Sequence, residues 1–246
     1  MSHDLYVAMS GAMSRMNELD LIANNIANSD TAGFKRLQSV FSATLEERIR
    51  DVDGNLTAGV AGRVHSSQST PAIDLAKGGI RHTGNPLHVA IQGDGFFQIE
   101  TPEGARFTRA GDFSVGAEGF LATPAGYAVT GDGGPIEVGA RSAQITATGV
   151  VLDGAGDELG RLSLVQFADP TALKHAGGSL FRTEAGTEPE AVDELELAER
   201  SLESSNVKPV EEMASMVMVQ RVFEISMRTM QAEDQSTQRL LREISS

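Results

Sequence analysis

The 246-residue chain contains no cysteine and no tryptophan. Without cysteine there is no disulfide, no thiolate metal site, no iron–sulfur cluster and no cysteine nucleophile. The absence leaves the compartment open, because a Cys-free chain suits a reducing or an oxidising one. Aromatic residues make up only 5%, with two tyrosines, so there is little surface on which bases or sugars would stack. Positive charge is also scarce: 20 Lys and Arg stand against 34 Asp and Glu, a formal net charge of −14. Such a chain repels phosphate backbones, which argues against a nucleic-acid partner. No apolar run reaches the ~20 residues that span a bilayer, so no membrane insertion is expected. The first 30 residues carry Asp4, Glu18, Asp20 and Asp30 and lack a basic start followed by an apolar stretch. That is not the pattern of a secretory signal peptide.

What is present is unevenly placed. Hydrophobic residues at 40% and charged residues at 22% are ordinary globular usage. Of 26 glycines, 18 lie between Gly78 and Gly160, and all nine methionines lie in Met1–Met16 or Met213–Met230. Glycine punctuates turns and bulges, whereas methionine favours helices and adaptable packing. Helical ends around a β-rich middle follow, an α+β architecture.

Leu5, Met9, Ala12, Met16, Leu19, Ala23 and Ile26 alternate steps of four and three residues. This is the narrow a/d stripe of a heptad, on a helix from about Asp4 to Asn28. Asn28, Ser29, Asp30 and Thr31 compete for backbone hydrogen bonds, and Gly33 accepts a positive φ, so the helix stops there. The other end repeats the spacing with Met213, Met216, Gln220, Phe223, Met227, Met230, Asp234, Thr237, Leu241 and Ile244. Its three polar members weaken the seam but set register. Pro209, followed by Glu211 and Glu212, suits a first helical turn, with Asn206 or Lys208 as the cap. The two seams read as assembly surfaces that pair with one another or with neighbouring subunits.

Between the ends, residues 35–72 are sparsely apolar and read as an extended linker, with a short helix or extended start at Leu37–Leu45 and a turn at Asp53–Asn55. Residues 73–195 read as a β-rich domain of sandwich or barrel type, with turn residues every 8–12 positions. Expected strands include Phe97–Glu100 and Arg106–Arg109 around a turn at Thr101–Gly104, then Ile136–Val138, Val150–Leu152 and Arg161–Phe167. The acid-rich run 184–199 reads as a solvated connector, and 196–246 as the C-terminal assembly helix.

Candidate chemistry is thin. Gly154-Ala155-Gly156 follows an apolar run, but the next segment alternates with period two, so a hairpin turn outweighs a nucleotide loop. The five histidines share no metal-ligand spacing. Asp51–Asn55 lacks the later glycine and the glutamate of a calcium loop. No nucleophile elbow or P-loop occurs. No catalytic residue, cofactor or metal is expected.

The stretch Ile22-Ala23-Asn24-Asn25-Ile26-Ala27-Asn28-Ser29-Asp30-Thr31-Ala32-Gly33-Phe34-Lys35-Arg36 resembles the N-terminal signature of bacterial flagellar rod and hook proteins. Asn85–Phe97 and Phe107–Phe113 are similar to the β domain of that family. Leu202–Val207 and Gln220–Glu224 are similar to its C-terminal motif. The opening Leu5–Ala12 is most like the proximal-rod member, with the distal-rod member and the hook protein as relatives. Hook proteins usually carry further outer domains that this chain lacks.

The resemblance implies a structural subunit exported through the flagellar export apparatus without signal cleavage. It implies polymerisation with copies of itself and with other rod proteins in the periplasm. The terminal helices would form an inner coiled-coil tube and the β domain would lie outside. It also marks Asn24, Asn25, Asn28, Thr31, Gly33 and Phe34 as a signature turn, with Phe34 an apolar anchor. The rival readings are a distal rod protein, a periplasmic binding module built on the β domain, and a hydrolase using cleft carboxylates.

Overall fold

The computed structural model describes residues 3–40, 70–139, 142–183, 187, 189–192 and 196–244. The expected features at Phe41, Leu45 and Asp51–Asn55 lie outside the described residues. So do the side chains of Leu5, Asp234, Thr237, Leu241 and Ile244. The chain divides into two compact units. One comprises residues 1–23, 37–72 and 210–246; the other comprises 24–36 and 73–209.

The first unit is dominated by helices. Helix α1 runs His3–Ala27 and α2 runs Pro209–Ile244, about 37 and 54 Å long at 1.5 Å per residue. Leucine, methionine, alanine and glutamate are favoured in helix interiors, and Pro209 tolerates the first position because its missing N–H has no partner there anyway. Strands β1 (Leu37–Val40) and β2 (Thr70–Ile73) form a two-stranded sheet, so part of the expected linker is paired.

The second unit is β-rich. Strand β3 is Ile80–His82, β4 Val89–Ile91, β5 Phe96–Thr101, β6 Gly104–Thr108 and β7 Ser114–Val115. Next come β8 (Leu121–Ala122), β9 (Ala128–Gly131), β10 (Gly134–Pro135), β11 (Ala143–Ile145) and β12 (Val150–Asp153). The rest are β13 (Glu158–Arg161), β14 (Leu164–Gln166), β15 (Leu173–His175), β16 (Leu180–Thr183), β17 (Glu190–Ala191), β18 (Leu197–Glu199) and β19 (Ser201–Glu203).

The largest sheet runs β15-β16-β6-β5-β9-β8-β7, with β10 on β9, β14 on β5 and β17 on β14. A three-stranded sheet, β11-β12-β13, supplies Ala143, Ile145 and Val151 to the same core as Phe97, Ile99, Leu121 and Val129. Residues of β5 alternate faces. Phe97 and Ile99 enter that core, while Phe96 enters a second cluster with Phe107, Phe167 and Phe181.

The Thr101–Gly104 hairpin pairs in register, Thr101 opposite Gly104, and the Thr101 hydroxyl donates to the Gly104 carbonyl at 2.7 Å. The Gly154–Gly160 segment is likewise a hairpin turn, closed by the Asp153 carboxylate accepting from the Ala155 and Asp157 amides.

Three local readings change. Ile136 and Val138 are buried but lie beyond β10 rather than in a strand of their own. The expected strand 161–167 is two strands in different sheets, because the chain leaves β13 at Arg161 and joins the large sheet at Leu164. Between them the Leu162 amide donates to the Gly149 carbonyl at 2.8 Å. The third change concerns the boundary at 196. Residues 197–203 are not the start of an assembly helix but strands: β18 pairs with β4 and β19 with β3. Leu197 and Leu202 are buried, so the acid-rich connector ends in core-forming β structure.

Candidate assembly site and the ionic junction at its root

The last turn of α1 and the residues entering α2 both belong to the β-rich unit. Asparagine and serine favour the terminus of α1 because their side chains take up orphan backbone groups. The Asn28 amide donates to the Asn24 carbonyl at 2.9 Å, and the Ser29 hydroxyl to the Ile26 carbonyl at 2.8 Å. The Thr31 hydroxyl donates to the Asn28 side chain at 3.2 Å. Asn25 is buried.

Gly33 has φ +66° and donates its amide to the Glu203 carbonyl at 2.8 Å. A Cβ there would lie 2.2 Å from the Ala110 amide nitrogen, so both conformation and space require glycine. Phe34 is fully buried and meets His175 edge-on at 6.1 Å.

Beside this turn three segments distant in sequence share one ionic cluster. Lys35 Nζ donates to Glu203 Oε1 at 2.7 Å and to the Ala76 carbonyl at 2.8 Å. Arg109 Nε donates to Glu203 Oε2 at 2.8 Å; its terminal nitrogens donate to the carbonyls of Gly95 at 2.8 Å and Gly93 at 3.0 Å. The guanidinium also lies 5.8 Å from the Phe96 ring centroid. The Gly78 amide adds a bond to Glu203 Oε1 at 2.9 Å.

Asn206 completes the tie. It accepts from the Arg36 amide at 2.7 Å and donates to the carbonyls of Asp74 and Ala76 at 2.9 and 3.0 Å. Its side chain is thus committed to the segments leaving α1 and entering the β body.

All three ionic side chains are buried, and one carboxylate faces two cations. Burial pulls the Lys35 ammonium below its ordinary range, only partly offset by its bond to Glu203. Burial alone would raise Glu203. The Arg109 charge and the hydrogen bonds from Lys35 and Arg109 outweigh it and hold the carboxyl below its usual range. The backbone carbonyls around Arg109 and Lys35 absorb the excess positive charge.

Nearby, Asp112 pairs backbone-to-backbone with His88 in an isolated bridge. Burial raises its carboxyl, against its own backbone hydrogen bond and the His88 charge. A raised carboxyl costs stability while ionised. Asp112→Asn should therefore stabilise the β body at neutral pH, and the gain should vanish as pH falls through the range where Asp112 is protonated anyway. Thermal unfolding of both proteins at pH 7 and pH 4 checks this.

The two seams fare differently. On α1, Ala12 and Ile22 are buried and Leu19 and Ile26 half-buried, whereas Met9, Met16 and Ala23 are exposed. On α2, Val219 is buried and Met216, Phe223 and Met230 half-buried, whereas Met213, Gln220 and Met227 are exposed. A strict 3.5-residue stripe winds slowly around a straight helix, so one sheltered line takes only part of it. Met13, Val210, Val217, Met218, Val222 and Ile225 are exposed as well. Apolar side chains so spread around a helix suit burial on more than one side.

Lys35, Arg109, Glu203 and Asn206 escape a reading of motifs for chemistry, although each lies within a stretch that carries the family resemblance. The cue available was a set of charges embedded in short apolar-rich segments. Among the described residues no three His, Asp or Glu are placed to hold a metal ion, and no helix is long and apolar enough to cross a membrane.

Two long terminal helices and a β-rich unit held by a buried ionic cluster are the features that the comparisons with known proteins place in a structural family. Three family models match. "Flagella basal body rod protein" covers residues 5–35, "Flagellar hook protein FlgE/F/G D1 domain" covers 90–152, and "Flagellar basal body rod FlgEFG protein C-terminal" covers 198–243. The flagellar basal-body rod protein FlgF of Caulobacter vibrioides is 34% identical over 227 residues, 91% of this chain and 90% of the relative. FlgF of Salmonella typhimurium is 34% identical over 255 residues, 96% of each chain. The basal-body rod protein FlgG of Bacillus subtilis is 31% identical over 262 residues, 98% of each. The chain belongs to the flagellar basal-body rod protein family, which is structural and non-enzymatic.

Proposed function

We propose that this chain is a structural subunit of the flagellar basal-body rod, at the proximal end, where it polymerises with copies of itself and with other rod proteins. The observation that carries the reading is the exposure of Met9, Met13 and Met16 on α1 and of Met213, Val217, Met218, Val222 and Ile225 on α2. A free subunit gains by covering these side chains, each worth ~1.5–3 kcal/mol when fully buried. A heterologous, non-closing contact between copies generates a helical shaft, the form that torque transmission requires. In that shaft α1 and α2 pair as a coiled coil around the axis and the β body lies outside. The FlgF and FlgG relatives alike support a rod subunit, and the likeness of Leu5–Ala12 to the proximal-rod member supports the proximal position.

Met16→Asp and Met227→Asp test the surface. Each places a charge in the proposed seam and should abolish rod assembly and motility while leaving the β body folded. The check is motility and basal-body electron microscopy in a deletion strain supplied with each variant. Normal motility with either removes that residue from the seam. In the deletion strain itself the shaft should stop near its membrane-proximal end.

A further inference from the structure

We propose that the exposed methionines of α1 and α2 form an oxidation-sensitive gate on assembly, a modification site on the free subunit. The inference rests on the rod reading above. No cysteine exists to intercept an oxidant, and every methionine lies in a terminal segment, none in the β body. In the single chain Met218 is 71% exposed, Met13 61%, Met16 57% and Met213 53%, whereas Met216 and Met230 are half-buried. Oxidants therefore meet sulfur first on the very faces that subunits bury against one another.

The chemistry needs a two-electron oxidant such as hydrogen peroxide. The thioether sulfur gives an electron pair to one peroxide oxygen, the O–O bond breaks, an S=O bond forms and water leaves. The product is a polar acceptor on a formerly apolar side chain. Burying it against apolar side chains without a donor is unfavourable. Because the sulfoxide is reducible, the block is reversible. Once the seam is closed the sulfur atoms are covered, so assembled rod is protected and only the unassembled subunit is sensitive.

The test treats the full chain with graded hydrogen peroxide and reads each methionine by mass spectrometry. Met218, Met13, Met16 and Met213 should take up one oxygen ahead of Met216 and Met230. Treated and untreated chains are then compared for polymerisation by sedimentation. Oxidation should raise the concentration needed for assembly roughly tenfold or more, and methionine sulfoxide reductase with its thiol reductant should restore it. Pre-assembled polymer should resist the same dose. Equal assembly before and after oxidation overturns the gate, as does a loss that the reductase does not reverse. If the untreated chain neither assembles nor restores flagella to a deletion strain, the rod reading itself falls, and the two failures are separate.

Discussion

Glu203→Ala is expected to destabilise the β body by ~3–5 kcal/mol, lowering its thermal midpoint by on the order of 10 °C. The carboxylate is 2% exposed and accepts from Lys35, Arg109 and the Gly78 amide. Removing it leaves two buried cations without the carboxylate that pairs them both, and neither side chain reaches water without disturbing the chain around it. Lys35→Met should cost less. Glu203 would keep Arg109, and the desolvation that depresses the Lys35 ammonium would disappear with the charge. Thermal unfolding followed by circular dichroism in the β region ranks the two variants. A loss below ~1 kcal/mol for Glu203→Ala, the scale of an exposed pair, would mean that the junction is not buried in solution.

The same carboxylate sets an acid limit. Its folded pKa lies below the unfolded value, so its contribution is complete above the ordinary carboxylate range and drains as pH falls through the depressed folded value. Lys35 acts at the other end. Its lowered ammonium adds a cost that persists below its folded pKa and lifts only toward alkaline pH. Acid sensitivity of the junction therefore belongs to Glu203 and opposes the effect of Asp112.

The division into ends and middle is legible in composition because helices and turns need different residues. Methionine-rich, 3.5-spaced segments became α1 and α2, and glycine-rich, period-two segments became hairpins. The junction is not legible in this way. Lys35 and Glu203 lie 168 residues apart, and Arg109 and Glu203 lie 94 apart. Pairing at such distances follows from tertiary folding, which leaves no local period. Glu203 also follows an acid-rich run, where a carboxylate is ordinarily solvated. The short strands β18 and β19 are hidden by that same charge, since each carries a single buried leucine, Leu197 or Leu202, and the other buried residues of β19 are the polar Ser201 and Glu203. Which flank of each helix is sheltered is equally illegible: the 3.5-residue stripe takes in Ala23 and Gln220, which are exposed, whereas Ile22 and Val219, one position before each, are buried.

A fragment of residues 73–195 is expected to be unfolded, and one of residues 24–209 to fold. The shorter piece contains most of the β strands and would suffice if the middle were a self-contained binding module. It lacks β18 and β19, leaving β4 and β3 without the partners that register Leu197 opposite Ile91 and Leu202 opposite Arg81. It also lacks Phe34, Leu197, Leu202 and Val207, all buried. At ~1.5–3 kcal/mol each, their loss amounts to roughly 6–12 kcal/mol, comparable with the whole stability of a typical domain at about 5–15 kcal/mol. Arg109 would further lose its only carboxylate partner among the described residues while keeping its carbonyl cage. Circular dichroism and amide dispersion in a proton–nitrogen spectrum decide the matter. A well-dispersed spectrum from 73–195 would show that the two terminal segments merely decorate the β body. A dispersed spectrum from 24–209 alone would show that the turn after α1 and the strands before α2 are part of its core.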